Sequence, residues 1–213
     1  GYLDHAEPEI RRFLEGRHRI AFVPFALHNH AAYTDKVRER LGRMGFEVTQ
    51  VRGLADLNGA DAIFVGGGNT FRLLDRLCRF GLLDPIRQRV RAGVPYLGVS
   101  AGTNVACPTI KTTNDMPIVD PGGFDALALI PLQINPHYLN VALPGHHGET
   151  RDQRLAEFAR VNPALPVIGL PEGDWLRVSG ATIELRGPHP AAWFEGNAPP
   201  ARLAPGWRFK GSA

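Results

Sequence analysis

Cysteine is scarce. Cys78 and Cys107 are the only two in 213 residues, too few for a disulfide framework, and each is expected to act as a small buried hydrophobe. Long apolar runs are missing, since none reaches the roughly 18 residues that a membrane span needs. The chain also opens without the charged-then-apolar segment of a secretory signal. The expectation is a soluble protein in a reducing, cytoplasmic setting, with no membrane partner. Charge of one sign is absent too. The 24 Lys and Arg against 21 Asp and Glu leave a net charge of +3. The basic residues are scattered, without a block or aromatic interleaving, which argues against nucleic acid. His28 and His30 form an H-x-H pair, but no third residue follows at a convincing ligand spacing, so no metal is expected. Neither G-x-G-x-x-G nor G-x-x-x-x-G-K-[ST] occurs, which weakens a nucleotide reading. There is no internal repeat and no low-complexity segment.

What is present is an ordinary globular composition, 44% hydrophobic and 21% charged, most simply a single domain over 1–213. A chain of this length buries roughly 70% of its unfolded surface and needs no staple. Apolar runs alternate with amphipathic ones. The runs 19–26, 46–51, 61–65, 94–99 and 165–170 read as strands. Residues 33–45 read as a helix with Val37, Leu41 and Met44 on one face and Gly45 at its end. The spacing predicts further helices over 70–81, with Phe71, Leu74, Leu77 and Cys78 inward, and over 84–93, with Asp84 at the cap and Pro85 at the first position. Residues 174–179 and 181–185 suggest a late hairpin, and the Pro/Gly-rich tail after Gly187 suggests surface coil. Strands alternating with helices predict an α/β fold with a mostly parallel sheet and helices on both faces. Ligands of such sheets bind at the carboxyl ends of the strands. Candidate residues should therefore follow directly on apolar runs.

Three segments do so. Gly98-Val99-Ser100-Ala101-Gly102 fits the G-x-S-x-G pattern of a nucleophile elbow, a strained turn from strand to helix. The same pattern arises by chance in glycine-rich chains, where the serine is merely small. Gly66-Gly67-Gly68-Asn69-Thr70 ends another strand. Asn69 or Thr70 can cap the helix that follows, and Asn69 is also a candidate for substrate contact. The exposed amides of such a turn can cradle an anion, and with Ser100 nearby the N–H groups of Gly68 and Ala101 can form an oxyanion hole. A tight turn that only needs positive φ is the plainer alternative. Pro171-Glu172-Gly173 follows the third run.

A serine hydroxyl needs a base, and the base needs an orienting carboxylate. Of the eight histidines, His137 is the best placed, straight after "ALALIPL" in a polar turn with Pro136. His28 and His30 lie near the predicted site edge, and His146 and His147, with Gly148, are expected to form a mobile loop over it. Two acids are candidates, Glu172 in its strand-end turn and Asp115 in a Thr/Asn-rich loop between Ser100 and His137. Turn capping is the ordinary role for Asp115, and an exposed turn acid is the ordinary role for Glu172.

The stretches "VGGGNTF", "GVSAGTNVACPTIKTTNDMPIV", "GFDALALIPLQINPH", "GHHGETRDQRLAEF" and "VIGLPEG" together resemble the peptidase E family of serine peptidases, the α-aspartyl dipeptidases, over about 60–175. The resemblance implies a flavodoxin-like, three-layer fold related to class I glutamine amidotransferases, with Ser100 where those enzymes carry cysteine. It implies hydrolysis of dipeptides with an N-terminal aspartate, without metal or cofactor, by a monomer or homodimer. By motif, Ser100 matches the nucleophile, His137 the base, Glu172 and Asp115 positions considered for the acid, and Gly68 and Ala101 the oxyanion donors. Arg151 matches an arginine that meets the substrate's aspartate side chain. Arg151 also has a local case. Thr150 and Gln153 form a capping-box pattern that puts it at the first position of a helix, where a guanidinium can grip a carboxylate bidentately. Glu172 is favoured as the acid by its strand-end position. Family members usually begin with a further apolar strand, which is expected to be missing here.

Three other readings compete. An α/β-hydrolase-type esterase also uses G-x-S-x-G and takes its histidine late, which nominates His189. A relative of the same scaffold can act on another aspartyl peptide. A non-catalytic binder can keep the scaffold alone.

Overall fold

The computed structural model describes residues 2–140 and 148–211. Its contacts divide the chain into two compact units. The first comprises residues 1–110 and 115–129, and the second comprises residues 111–114 and 130–213.

The first unit is built on four parallel strands, β1 (Arg19–Val23), β2 (Glu47–Gln50), β3 (Ala62–Val65) and β4 (Tyr96–Gly98), in the order β2-β1-β3-β4. β3 is buried along its whole length and β1 from Ile20 onward, which is why both read as unbroken apolar runs rather than alternating ones. Their side chains nevertheless divide by period two. Ile20, Phe22, Ala62 and Phe64 face one core, where they meet Ile10, Leu14, Tyr33, Val37 and Leu41. Ala21, Val23, Ile63 and Val65 face the other, where they meet Leu73, Leu74, Leu77, Ile86 and Val105. Helices α1 (Glu7–Phe13) and α2 (His30–Gly42) thus cover one face. Helices α3 (Thr70–Arg79), α4 (Leu83–Arg91) and α5 (Ala101–Ala106) cover the other. This is the doubly wound, three-layer arrangement. The chain leaves β1 to one side for β2 and to the other for β3, so the switch point lies at the carboxyl ends of β1 and β3.

Several boundaries differ from expectation. α2 starts three residues before position 33 because the Asn29 side chain accepts the Ala32 N–H at 3.0 Å and caps it. α4 begins at Leu83, which moves Pro85 to the third helical position. On α3 the buried residues are Thr70, Leu73, Leu74, Asp75 and Leu77. Phe71 is only partly buried, and Cys78 is exposed, contrary to its expected burial; Cys107 is buried as expected. The face is centred on Leu73 and Leu77, and Cys78 lies about 100° round from Leu77, on the flank.

The second unit holds β5 (Gln133–Pro136), α6 (Arg151–Val161) and β6 (Val167–Leu170). Five further strands follow: β7 (Trp175–Ser179), β8 (Thr182–Arg186), β9 (Ala191–Phe194), β10 (Ala201–Leu203) and β11 (Arg208–Lys210). One sheet runs β10-β9-β6-β5, with β5 and β6 parallel and the other pairs antiparallel. The other runs β11-β8-β7, in which β7 and β8 form the expected hairpin. Leu155 and Ala159 of α6 pack on Tyr138, Val167, Ala192 and Phe194. The tail after Gly187 is therefore not surface coil. β9 is buried throughout and pairs with β6. Its four residues lie between proline-rich segments, too short a run for periodicity to reveal.

Candidate active site

Ser100 joins β4 to α5 as the N-cap residue, with φ 53° and ψ −108°. A non-glycine residue rarely holds a positive φ, and doing so costs of order 1–3 kcal/mol. The neighbouring glycines account for how the turn is possible. A Cβ on Gly102 would lie 2.1 Å from the Val65 carbonyl oxygen, and one on Gly98 would lie 2.6 Å from the Gly102 carbonyl oxygen. Only glycine at both positions lets the elbow fold this tightly against β3. The helix behind it is fixed as well, because the Tyr96 hydroxyl donates to the Gly102 carbonyl at 2.6 Å.

The glycine turn after β3 lies at the switch point, against the loop that follows β1. Gly68 has φ 132°, and a Cβ on it would lie 2.6 Å from the Ala26 carbonyl oxygen. Asn69 N–H donates to that same oxygen at 3.0 Å. Gly67 approaches Ser100 so closely that a Cβ there would stand 3.0 Å from the Ser100 Cβ. The elbow and the glycine turn, both in the first unit, are thus in contact. Tyr33 holds the turn from α2. Its hydroxyl accepts the Gly67 N–H at 2.9 Å and meets the Tyr2 hydroxyl at 3.3 Å. Its ring fills the space a Gly66 side chain would need. Tyr33 stands 34 residues from the turn, and nothing in its own helix marked it.

Asn69 proves to be a capping residue. Its Oδ1 accepts the Arg72 N–H at 3.0 Å, and its Nδ2 donates to the Met116 carbonyl at 2.9 Å. Asp115 sits at the same helix end, where one oxygen, Oδ2, accepts from both the Thr70 amide at 2.7 Å and the Thr70 hydroxyl at 2.6 Å.

The second unit carries the other candidates. Pro136 of β5 is in register with Leu170 of β6, and Tyr138 N–H donates to the Leu170 carbonyl at 2.9 Å. Two neighbouring parallel strands therefore deliver His137 and the 171–173 turn to one edge. There His137 Nδ1 is hydrogen-bonded to Glu172 Oε2. His137 itself is a non-glycine residue at φ 54°. It does not sit in a polar turn after "ALALIPL" as expected, but directly after β5, whose four residues are all buried.

Arg151 is the first residue of α6, with Thr150 and Gln153 forming the expected capping box, so this local reading was complete. Arg151 Nη1 donates to Asn135 Oδ1 at 3.1 Å. Burial first, and then the Arg154 cation, lowers the pKa of its guanidinium. Beside it the Tyr138 hydroxyl donates to Asp152 Oδ1, while Asn140 donates to Asp152 Oδ2 at 2.7 Å. Burial, and next that hydrogen bond, raises the Tyr138 pKa. His189, the rival base, has its Nδ1 3.3 Å from Asp174 Oδ2, and its backbone N–H donates to Asp174 Oδ1 at 3.2 Å. His28 is exposed, while His30 is the first residue of α2, with its ring against Phe25. His146 and His147 lie outside the described residues. Among the described residues, no group of three or more His, Cys, Asp or Glu could hold a metal ion, and no helix is long and apolar enough to cross a membrane.

The fold is similar to that of a peptidase from an acI-B1 Actinobacterium (TM-score 0.67, 17% identity, covering 98% of this chain and 92% of that one). It is also similar to a candidate peptidase E protein from Listeria monocytogenes EGD-e (TM-score 0.59, 24% identity, 95% of each chain). In sequence, peptidase E of Salmonella newport (strain SL254) is 50% identical over 214 residues, covering 98% of this chain and 93% of that protein. Peptidase E of Salmonella typhi is 49% identical over the same span. The description of peptidase family S51 matches residues 1–186. With half of its residues shared along nearly its whole length with peptidase E proteins, this chain belongs to peptidase family S51 and is a peptidase.

Proposed function

We propose that the protein is a serine dipeptidase that cleaves dipeptides with an N-terminal aspartate. The observation that carries this reading is the conformation of Ser100. A reactive-type side chain is held at φ 53° between two glycines that no other residue can replace, an arrangement a merely small turn residue does not need. The His137–Glu172 hydrogen bond supports it, because a carboxylate on Nδ1 leaves Nε2 as the proton acceptor.

In this reading His137 Nε2 takes the proton of Ser100 as its oxygen attacks the carbonyl after the substrate aspartate. The amides of Gly68 and Ala101 stabilise the tetrahedral oxyanion. Each such donor is worth about 100- to 1000-fold in rate. His137 then protonates the departing amino group, leaving an acyl-enzyme on Ser100. Water attacks the ester, with His137 again accepting and returning the proton. Glu172, hydrogen-bonded to Nδ1, fixes the imidazole tautomer. Arg151 receives the substrate's β-carboxylate. Asn69 and Asp115 serve the geometry of α3, consistent with their hydrogen bonds. The reaction needs no cofactor and no metal, and the setting is cytoplasmic.

The second reading is an esterase-like triad of Ser100, Asp174 and His189, favoured by the pairing of His189 with Asp174. One assay separates the two. Hydrolysis of Asp-Ala and Ala-Ala dipeptides is measured for the wild type, Ser100→Ala, His137→Ala and His189→Ala. Cleavage of Asp-Ala is expected to fall at least about 1000-fold in the first two variants and to survive in the third. No Ser100-dependent cleavage of Asp-Ala would end the proposal, and loss in Ser100→Ala and His189→Ala with activity kept in His137→Ala would favour the second reading.

A further inference from the structure

Asn135 of β5 is buried, only 1% exposed. The two ends of an amide side chain have opposite needs, donor at Nδ2 and acceptor at Oδ1. Here Nδ2 donates to the Thr112 carbonyl at 2.8 Å and to Asn114 Oδ1 at 2.7 Å. With both hydrogens committed, Oδ1 has one way to face, and it receives Arg151 Nη1. Asn114 in turn donates from Nδ2 to the Pro136 carbonyl at 2.8 Å, the peptide that leads into His137. Thr112 Oγ1 donates to the Ile134 carbonyl at 2.9 Å and ties the 111–114 segment to β5. A continuous hydrogen-bonded path thus runs from Arg151 through Asn135 and Asn114 to the backbone of His137, all within the second unit.

We infer that Asn135 is a positioning residue for substrate selection: with Asn114 it holds the Arg151 guanidinium and the His137 backbone in a fixed relation. Its chemistry suits this role better than that of its near relatives. Aspartate would supply the same acceptor but would neutralise Arg151 and compete with the substrate's carboxylate. Leucine, of similar volume, would leave the guanidinium and Asn114 one hydrogen bond short and the carbonyl of the buried Thr112 without this donor, a costly outcome where water is excluded. A neutral, locked amide orients the cation and leaves its charge for an incoming acid. Because β5 runs "QINP" rather than an apolar series, the buried polar side chain is structural at the cost of hydrophobic burial, and the hydrogen bonds offset that cost.

The inference rests on the dipeptidase reading, in which Arg151 meets the aspartate. The test is steady-state kinetics on Asp-Ala and Ala-Ala with Asn135→Leu, Asn114→Ala, Arg151→Ala and the Asn135→Leu/Arg151→Ala double variant, each first shown to be folded by its melting transition. Asn135→Leu is expected to lower kcat/KM for Asp-Ala by about 10- to 100-fold, mainly through KM, with Ala-Ala changed less than about threefold. In the Arg151→Ala background the same substitution should add less than about twofold, because both act on one contact. A purely structural role would instead depress both substrates alike and add fully in the double variant, and that result overturns the inference. If Asn135→Leu does not fold, the exposed Asn114→Ala carries the test, read as the ratio of kcat/KM for Asp-Ala to that for Ala-Ala because Asn114 also bonds the Pro136 carbonyl: a fall in that ratio is expected, and an unaltered ratio overturns the inference. Failure of the dipeptidase reading looks different: the wild type then shows no Ser100-dependent cleavage of Asp-Ala, and the inference falls with it.

Discussion

Thr70 gives two hydrogens, one from its amide and one from its hydroxyl, to the same oxygen of Asp115. The bond spans 45 residues and ties the loop before Met116 to the first turn of α3. It separates the two acids that compete for the catalytic role, since Glu172 makes the corresponding contact with His137.

The contrast can be measured directly. Glu172→Gln removes the negative charge that sustains the imidazole tautomer, and turnover is expected to fall by about 1000- to 10,000-fold with little change in melting temperature. Asp115→Asn keeps an oxygen for Thr70 but weakens a charged cap. About 0.5–2 kcal/mol of stability is expected to be lost, with activity within about tenfold of wild type. Abolished turnover in a folded Asp115→Asn protein beside an active Glu172→Gln protein would reverse the assignment.

The elbow glycines make a second, purely steric case. Gly102→Ala would push a methyl to 2.1 Å from the Val65 carbonyl, and backbone on both sides has little room to yield. Loss of more than about 3 kcal/mol, or failure to fold, is expected in urea unfolding. Gly93→Ala, at φ 96° with no atom near its missing side chain, meets only conformational strain. It is expected to cost about 1 kcal/mol, so similar losses for the two would mean that close approach is not the reason for Gly102.

Asp61 provides a pH test in the first unit. Its Oδ2 accepts the Arg19 N–H at 2.9 Å and the His18 N–H at 3.0 Å, and these bonds, Arg19 first, lower its pKa. A carboxyl whose folded pKa lies below its unfolded value adds stability above the unfolded value. That stability is lost as the pH falls through the folded one. Asp61→Asn is therefore expected to lower the melting temperature at pH 7 and to differ little from wild type at pH 2. A gap that stays constant across a pH series of melting curves would contradict the sign.

How far the sequence could be read depended on distance along the chain. The strands around Phe22 and Phe64, the hairpin of β7 and β8 and the Thr150–Gln153 box were legible because each is a local pattern. Glu172 was legible as a strand-end residue, whereas His137 was legible only as the histidine of an expected polar turn, because β5 escaped the apolar pattern; parallel pairing of β5 with β6 joins the two at one edge. Contacts made across long separations were not. Tyr33 read as one more residue of an amphipathic helix, and its hold on the Gly67 amide shows only after folding. Asn135 read as part of a polar turn, because a buried strand paid for by side-chain hydrogen bonds has no apolar signature. Cys78 misled because one step round a helix separates a core position from its flank.

Ser100 and His137, the two ends of the proposed proton transfer, share one oddity: each is a non-glycine residue at a positive φ, 53° and 54°. Glycine would suit either backbone better and would relax it, yet glycine has no hydroxyl and no imidazole. The chain therefore faces a stability–activity trade-off concentrated at two positions. A selection for thermal robustness alone would drift toward erasing the two residues of the proposed proton transfer.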